Sequence, residues 1–336
     1  MAPRRTKLIA ISLLAPMTAG YGLYLATAQT APPELSQSPM NITNVIPPAF
    51  IMAVDNSGSM STDETLFRTA TGPGYFNNGS FFDSAGRPNE SGGTTISKLL
   101  DGDSNGNVYA ADFYGALRSP EHNRAYFDPS VVYLPWRTSA GTLEANSNPA
   151  AAAEDPRGSG NGAAAPFTTF DFTTYLTRTE TWLNGTVMPA GTYYNNDKSC
   201  NRESGNTNLG WRTLASDKTF TQNCSTEFRY YPARVYLGTA SAPPPGFDLT
   251  KRVLVKGVGP LGADMYRYDY LMGNFITGGA EAVQNFANWW TYYGNRNRAM
   301  IAAMTHSVSD FTKMRIGYFQ INTPPTARGD ANDPDV

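Results

Sequence analysis

The stretch Pro47-Pro48-Ala49-Phe50-Ile51-Met52-Ala53-Val54-Asp55-Asn56-Ser57-Gly58-Ser59-Met60 limits the folds open to this chain more than any other. Residues 49–54 form an unbroken apolar run, the pattern of a strand buried on both faces of a parallel sheet. The run ends at Asp55, and an Asp-x-Ser-x-Ser pattern begins there. A carboxylate and two hydroxyls at alternate positions can turn a strand-to-loop bend into an oxygen cage for a hard divalent cation, Mg2+ or Ca2+. Such a cage belongs at the carboxyl end of a central strand, where open α/β sheets bind their ligands. The same letters also suit a plain polar turn, because Asp, Asn, Ser and Gly are turn formers. The chain has no Gly-x-Ser-x-Gly elbow and no Gly-x-x-x-x-Gly-Lys loop, so neither of those catalytic patterns competes for the stretch.

Asp55, Ser57 and Ser59 resemble the first segment of the metal-ion-dependent adhesion site of von Willebrand factor A domains. The resemblance implies a cation held also by a Thr and an Asp from two later loops, with one coordination position open to a carboxylate from a partner. Hydroxyl ligands carry no charge, which leaves the cation electron-poor and attractive to an incoming acidic group.

The N-terminus supplies the context. Arg4, Arg5 and Lys7 precede an apolar stretch reaching about Leu25, and Ala26-Thr27-Ala28 offers a small-x-small cleavage site. Residues 1–28 therefore read as a signal peptide. A retained anchor is the alternative, although Pro16, Gly20 and Gly22 interrupt the run, and no later segment has the roughly 18 apolar residues of a transmembrane helix. Residues 29–48, with five prolines, read as an extended linker. Export agrees with a chain that is only 16% charged. A net charge of −2 gives no reason to expect nucleic acid as a partner. The two cysteines, Cys200 and Cys224, lie in a hydrophilic stretch. They are either a disulfide closing a local loop, which export favours, or two thiols.

Residues 61–274 hold turn signals and short β-like runs, Val131-Val132-Tyr133-Leu134, Phe228 to Leu237 and Arg252-Val253-Leu254-Val255 among them. Residues 137–165 are rich in Ala, Gly, Asn, Ser and Pro and read as a mobile loop. A helix is predicted over about 279–311, where Phe286, Trp290, Tyr293, Met300, Met304, Val308 and Phe311 make one apolar stripe expected to pack on the sheet. Glu281 suits its first turn, and Gly294 and Asn297 weaken its middle. A second strand is expected over 314–322, then a flexible tail over 323–336. The fold class expected is α/β: a partial, doubly wound, Rossmann-like A domain built from 49–60 plus 275–322. The β- and loop-rich segment 61–274 is its insertion, lying between first strand and first helix. One strand–helix–strand unit only opens such a domain, so the chain is expected to be the N-terminal part of a longer protein, or a truncated form of one.

Other patterns stand outside that frame. Asp101, Asp103, Asn105, Asn107 and Asp112 fit a calcium loop of EF-hand spacing, with Gly106 at the sharp turn and Asp in place of Glu at its last position. An Asx-turn-rich loop accounts for the same letters. Arg328-Gly329-Asp330 is an integrin-type tripeptide in the tail. Neither His122 nor His306 has a nucleophile or metal partner nearby in sequence, and no catalytic residues are expected.

Four segments in order resemble the PilY family of type IV pilus tip-associated adhesins and assembly factors. They are Asp55-Asn56-Ser57-Gly58-Ser59-Met60; residues 123–136, with Tyr126-Phe127-Asp128-Pro129 and Leu134-Pro135-Trp136; Tyr230-Tyr231-Pro232-Ala233; and Gln284-Asn285-Phe286-Ala287-Asn288-Trp289-Trp290-Thr291-Tyr292-Tyr293 followed by Arg315-Ile316-Gly317-Tyr318. The family's later A-domain strands and its C-terminal β-propeller have no counterpart here. The resemblance implies export to the periplasm, outer surface and pilus tip of a Gram-negative bacterium. It implies contact with minor pilins, and support of pilus extension, twitching motility, surface sensing and attachment to an acidic ligand on host cells or abiotic surfaces. A periplasmic A-domain scaffold unrelated to pili, and a fragment of a secreted hydrolase, are the alternatives.

Overall fold

The computed structural model describes residues 48–55, 110–153, 169–203, 207–294, 296–309 and 314–321, with a few isolated positions and two-residue ladders elsewhere. The chain is mixed α/β, with small sheets and few helices. It divides into two units, Met1–Ala49 with Lys313–Arg315, and Phe50–Thr312 with Ile316–Val336. In the first, the Arg315 N–H donates to the Pro48 carbonyl at 2.9 Å.

The second unit holds the core, between Ala110 and Trp290 in sequence. Strands β2 (Leu176–Trp182), β3 (Tyr193–Asn195), β4 (Trp211–Thr213) and β5 (Cys224–Tyr230) make an antiparallel sheet in the order β4-β3-β5-β2. β5 alternates buried Cys224, Thr226, Phe228 and Tyr230 with outward Ser225, Glu227 and Arg229, the period-two pattern of a half-buried strand. Cys200 and Cys224 are joined in a disulfide, their Cα atoms 5.8 Å apart. A second antiparallel sheet, β6-β8-β7, uses Arg234–Gly238, Met265–Asp269 and Val253–Val255 respectively. The run expected over Phe228–Leu237 is thus two strands in two sheets. Pro232 lies in the bend between them, where a residue with no N–H cannot extend a ladder.

The predicted long helix is two helices, α1 (Gly279–Tyr293) and α2 (Arg296–Val308). They part at Gly294, where a Cβ would lie 2.5 Å from the Trp290 carbonyl and 2.7 Å from Arg298 Nη2. Arg298 uses that space to donate to the Trp290 and Thr291 carbonyls, at 2.9 and 3.3 Å. Those are acceptors at the helix end, where intrahelical donors run out. Trp136 Nε1 closes the junction by donating to the Tyr292 carbonyl at 2.9 Å.

The stripe on α1 is core, but its partners differ from those expected. Phe286 and Trp289 pack against Tyr126 and Phe127, and Phe286 also against Phe172 and Tyr270. All four partners come from the segment assigned to an insertion. Met300, Met304 and Val308 on α2 are only half-buried, and Phe311 is exposed.

The polar face of α1 explains two further departures. Val131-Val132-Tyr133-Leu134 is extended but belongs to no strand. Asn285 takes the Tyr133 N–H at 2.7 Å and donates to the Val131 carbonyl at 2.7 Å. Side chains of the helix thus do for this backbone what a neighbouring strand would do. Residues 137–153 likewise pack on α1 rather than hanging loose. Ser147 donates its N–H to Asn288 Oδ1 at 2.9 Å, its carbonyl accepts from Gln284 at 2.6 Å, and Thr291 donates to the Ala153 carbonyl at 2.8 Å.

Strand β1 (Ala49–Val54) pairs with β9 (Arg315–Gln320) in a two-stranded sheet. The Ile321 N–H donates to the Val54 carbonyl at 2.9 Å, and Arg315 to Pro48 at the other end. The two bonds advance in the same sense along both strands, so the pairing is parallel. Burial differs from expectation. Phe50 and Ile51 are 45% and 68% exposed, and Tyr318 and Phe319 of β9 are also open. Among the described residues, β9 covers one edge of β1 and neither face.

Candidate functional site

Asp55 is the first residue past β1 and is half-buried. Because β1 and β9 are parallel, it stands at the carboxyl edge of the pair, beside the Ile321-to-Val54 hydrogen bond. A hard-oxygen donor at that edge suits the start of a cation cage. Its sequence partners Ser57 and Ser59 lie outside the described residues. Among the described residues no group of three or more His, Cys, Asp or Glu side chains converges.

Of the candidate calcium loop, Asp101, Asp103, Asn105 and Asn107 lie outside the described residues, as does Arg328-Gly329-Asp330. Asp112 is placed, and it is engaged elsewhere. It opens a buried 3₁₀ turn, Asp112–Arg118. Its Oδ1 accepts from Arg267 Nη1 at 2.8 Å and from the Tyr236 hydroxyl at 2.7 Å, with Arg234 Nη1 at 3.7 Å. Burial pushes its carboxyl up, but the charges of Arg267 and Arg234 outweigh that and hold it below the usual carboxylate range. A calcium ion recruiting Asp112 would have to draw it away from both guanidiniums.

This cluster is the largest concentration of charge inside the described core. Register builds it: Arg234 lies opposite Asp269, and Tyr236 opposite Arg267, across β6 and β8. Asp269 Oδ1 is 3.2 Å from Arg234 Nε, and its Oδ2 is 3.3 Å from Arg267 Nη2. Tyr236 is held neutral, its ionisation raised by burial first and by Asp112 next. The sequence carries a faint signal of the cluster, since Arg267 and Asp269 sit two apart in the aromatic run Met265–Asp269 and so share a face.

Glu180 on β2 holds the entry to the same 3₁₀ turn. Its Oε2 accepts the N–H groups of Ala110 and Ala111 at 3.1 and 2.7 Å. Burial dominates those hydrogen bonds and raises its carboxyl to about 8. The chain leaving residue 109 is therefore tied to one sheet by Glu180 and to the other by Asp112.

A cavity of about 280 Å³ opens over the charge cluster, with Asp112, Arg234, Arg267 and Asp269 in its wall and Tyr193 and Arg229 beside them. The Arg229 guanidinium lies over the Tyr193 ring, 4.7 Å from its centroid. No helix among the described residues is long and apolar enough to cross a membrane. Neither a protein-family model nor a curated protein nor a solved structure matches the chain.

Proposed function

We propose that the chain acts as a PilY-type adhesin and biogenesis factor of the type IV pilus tip, using a metal site that starts at Asp55. The observation behind this reading is the position of Asp55 at the carboxyl edge of a parallel strand pair, in register with the Asp-x-Ser-x-Ser letters. Strand β1, helices α1 and α2 and strand β9 come in that chain order, with β2–β8 between β1 and α1. With that segment taken as an insertion, the order is that of a βαβ crossover, the opening unit of a von Willebrand A-like, doubly wound domain. Asp55 supplies the charged donor and Ser57 and Ser59 the neutral hydroxyls, so a bound Mg2+ or Ca2+ keeps affinity for one more carboxylate. That carboxylate belongs to the surface ligand, and attachment is binding rather than turnover. Minor pilins are the structural partners, and the site of action is the exported face of the cell and the pilus tip.

Calorimetric titration with Mg2+ and Ca2+, alongside an attachment assay, tests the metal site. Asp55→Ala in the full-length protein is expected to lose both cation binding and cation-dependent attachment. Wild-type attachment in that variant would sink the metal-site mechanism, and failure to co-purify with minor pilins would sink the pilus assignment.

A further inference from the structure

We propose that the extended segment Val131–Leu134 and the groove beside it receive a short extended peptide carrying apolar side chains and one cation, at a place independent of the Asp55 site. Only one edge of the segment is used within the chain. Asn285 bonds the Val131 carbonyl and the Tyr133 N–H, and Asn288 donates to the Tyr133 carbonyl at 3.2 Å. In an extended chain the backbone groups of successive residues point to opposite edges, so the N–H and carbonyl of Val132 point away from α1. Neither has a hydrogen-bond partner among the described residues, and Val132 is 76% exposed, so that edge is open to an incoming chain. A donor and an acceptor on one residue are what a single residue of an antiparallel strand pairs with, by two bonds. Pro129 and Pro135 flank the segment, and a residue without an N–H cannot lengthen the ladder. The edge therefore suits a short peptide rather than a broad sheet.

The groove narrows the chemistry of the side chains. It holds about 510 Å³, and Val132 and Leu134 line it together with Pro245, Phe275, Thr277 and Glu281. Its wall is mostly apolar, and Val132 and Leu134 are themselves exposed. Exposed apolar side chains gathered at a concave surface gain from being covered. An extended peptide sends alternate side chains to one face, so residues two apart enter the groove while the edge holds the backbone. Glu281 is the one charged side chain in the wall, and it is exposed in the first turn of α1. It gives a cationic side chain of the peptide a counter-charge, and repels an acidic one.

The probe is the peptide acetyl-Val-Thr-Val-Thr-Lys-amide, whose two valines and lysine share one face. Binding is read by amide NMR shifts and calorimetry on the intact chain in EDTA, so that failure here is distinct from failure of the metal reading. The expected result is millimolar or tighter binding, with the largest shifts at Val131–Leu134. The same peptide N-methylated at its central valine is expected to bind about tenfold more weakly, since it loses the donor for the Val132 carbonyl and crowds the edge. That comparison leaves the protein unchanged and so does not depend on how a variant folds. Glu281→Gln is expected to weaken the unmodified peptide about threefold, the worth of one exposed ion pair. No binding, equal binding of the N-methylated peptide, or undiminished binding in Glu281→Gln would each overturn the proposal. Self-association of the chain with the same shifts, in the absence of peptide, would give the edge to a second copy and overturn it too.

Discussion

Glu180 shows how one side chain can make the stability of a β-rich core depend on pH. Its Oε1 is enclosed without a partner, and its Oε2 holds two backbone N–H groups at the start of the 3₁₀ turn. Those N–H groups favour the carboxylate, but burial disfavours it more and lifts the carboxyl to about 8 from an ordinary 4.5. Between those values the folded chain keeps a proton that the unfolded chain has released. The associated stability is therefore complete at low pH, declines as pH rises towards 8, and is gone above it. Glu180→Gln keeps an acceptor for Ala110 and Ala111 and cannot ionise. Urea unfolding of both proteins at pH 5 and pH 9 is expected to show the wild type losing about 4 kcal/mol relative to the variant. Parallel pH profiles would mean that Glu180 is better solvated than its enclosure implies. Asp112, the residue after Ala111, has the opposite sign. Held low by Arg267 and Arg234, it supports the fold at neutral pH, and that support fades only as pH falls through the depressed carboxyl.

At the scale of elements, the junction of α1 and α2 carries a sharp expectation. Gly294 has an ordinary helical φ of −63°, so its requirement is for space and not for backbone freedom. Gly294→Ala would drive a methyl group into Arg298, which caps the last carbonyls of α1. A loss of about 1–3 kcal/mol in urea unfolding is expected, the usual range for overpacking a filled site. A neutral result would show that Arg298 can move without cost. The same junction marks what the sequence could disclose. Its apolar periodicity revealed α1, and Gly294 marked the weak point, because both signals are local. The depth of α1 in the core, Asn285 tying down residues 131–133 and the Asp112–Arg267 pair were not legible. The two hydrogen-bonded ties join residues more than 150 positions apart, and a periodicity carries no information about which partner fills the other side of α1. The departure over 137–153, the part of that stretch among the described residues, has a related cause. Small polar residues look like a loose loop until Gln284, Asn288 and Thr291 are seen to hydrogen-bond to the backbone of Ser147 and Ala153.

At the scale of the whole molecule, the described chain has two very different kinds of sheet. The sheets of β2–β5 and β6–β8 share a continuous aromatic core with α1, whereas the β1–β9 pair has an apolar sequence and open faces. The apolar run at 49–54 reads as a doubly covered strand because its composition records the environment it is suited to, and among the described residues only β9 lies beside it. Two paired strands without a covered face are marginal in water, since few buried contacts oppose the entropy of ordering them. Amide hydrogen exchange separates the two kinds. Backbone amides of β5 and β8 are expected to exchange by near-global opening, and those of β1 and β9 orders of magnitude sooner, by local separation of the pair. The adhesin reading adds a condition: if Asp55 anchors a cation at the end of β1, adding Mg2+ or Ca2+ should slow exchange near residues 52–55 and leave β5 unchanged. Protection of β1 equal to that of β5 before any cation is added would show that further structure covers its faces. Cation-independent rapid exchange would instead detach the strand pair from the metal site proposed for it.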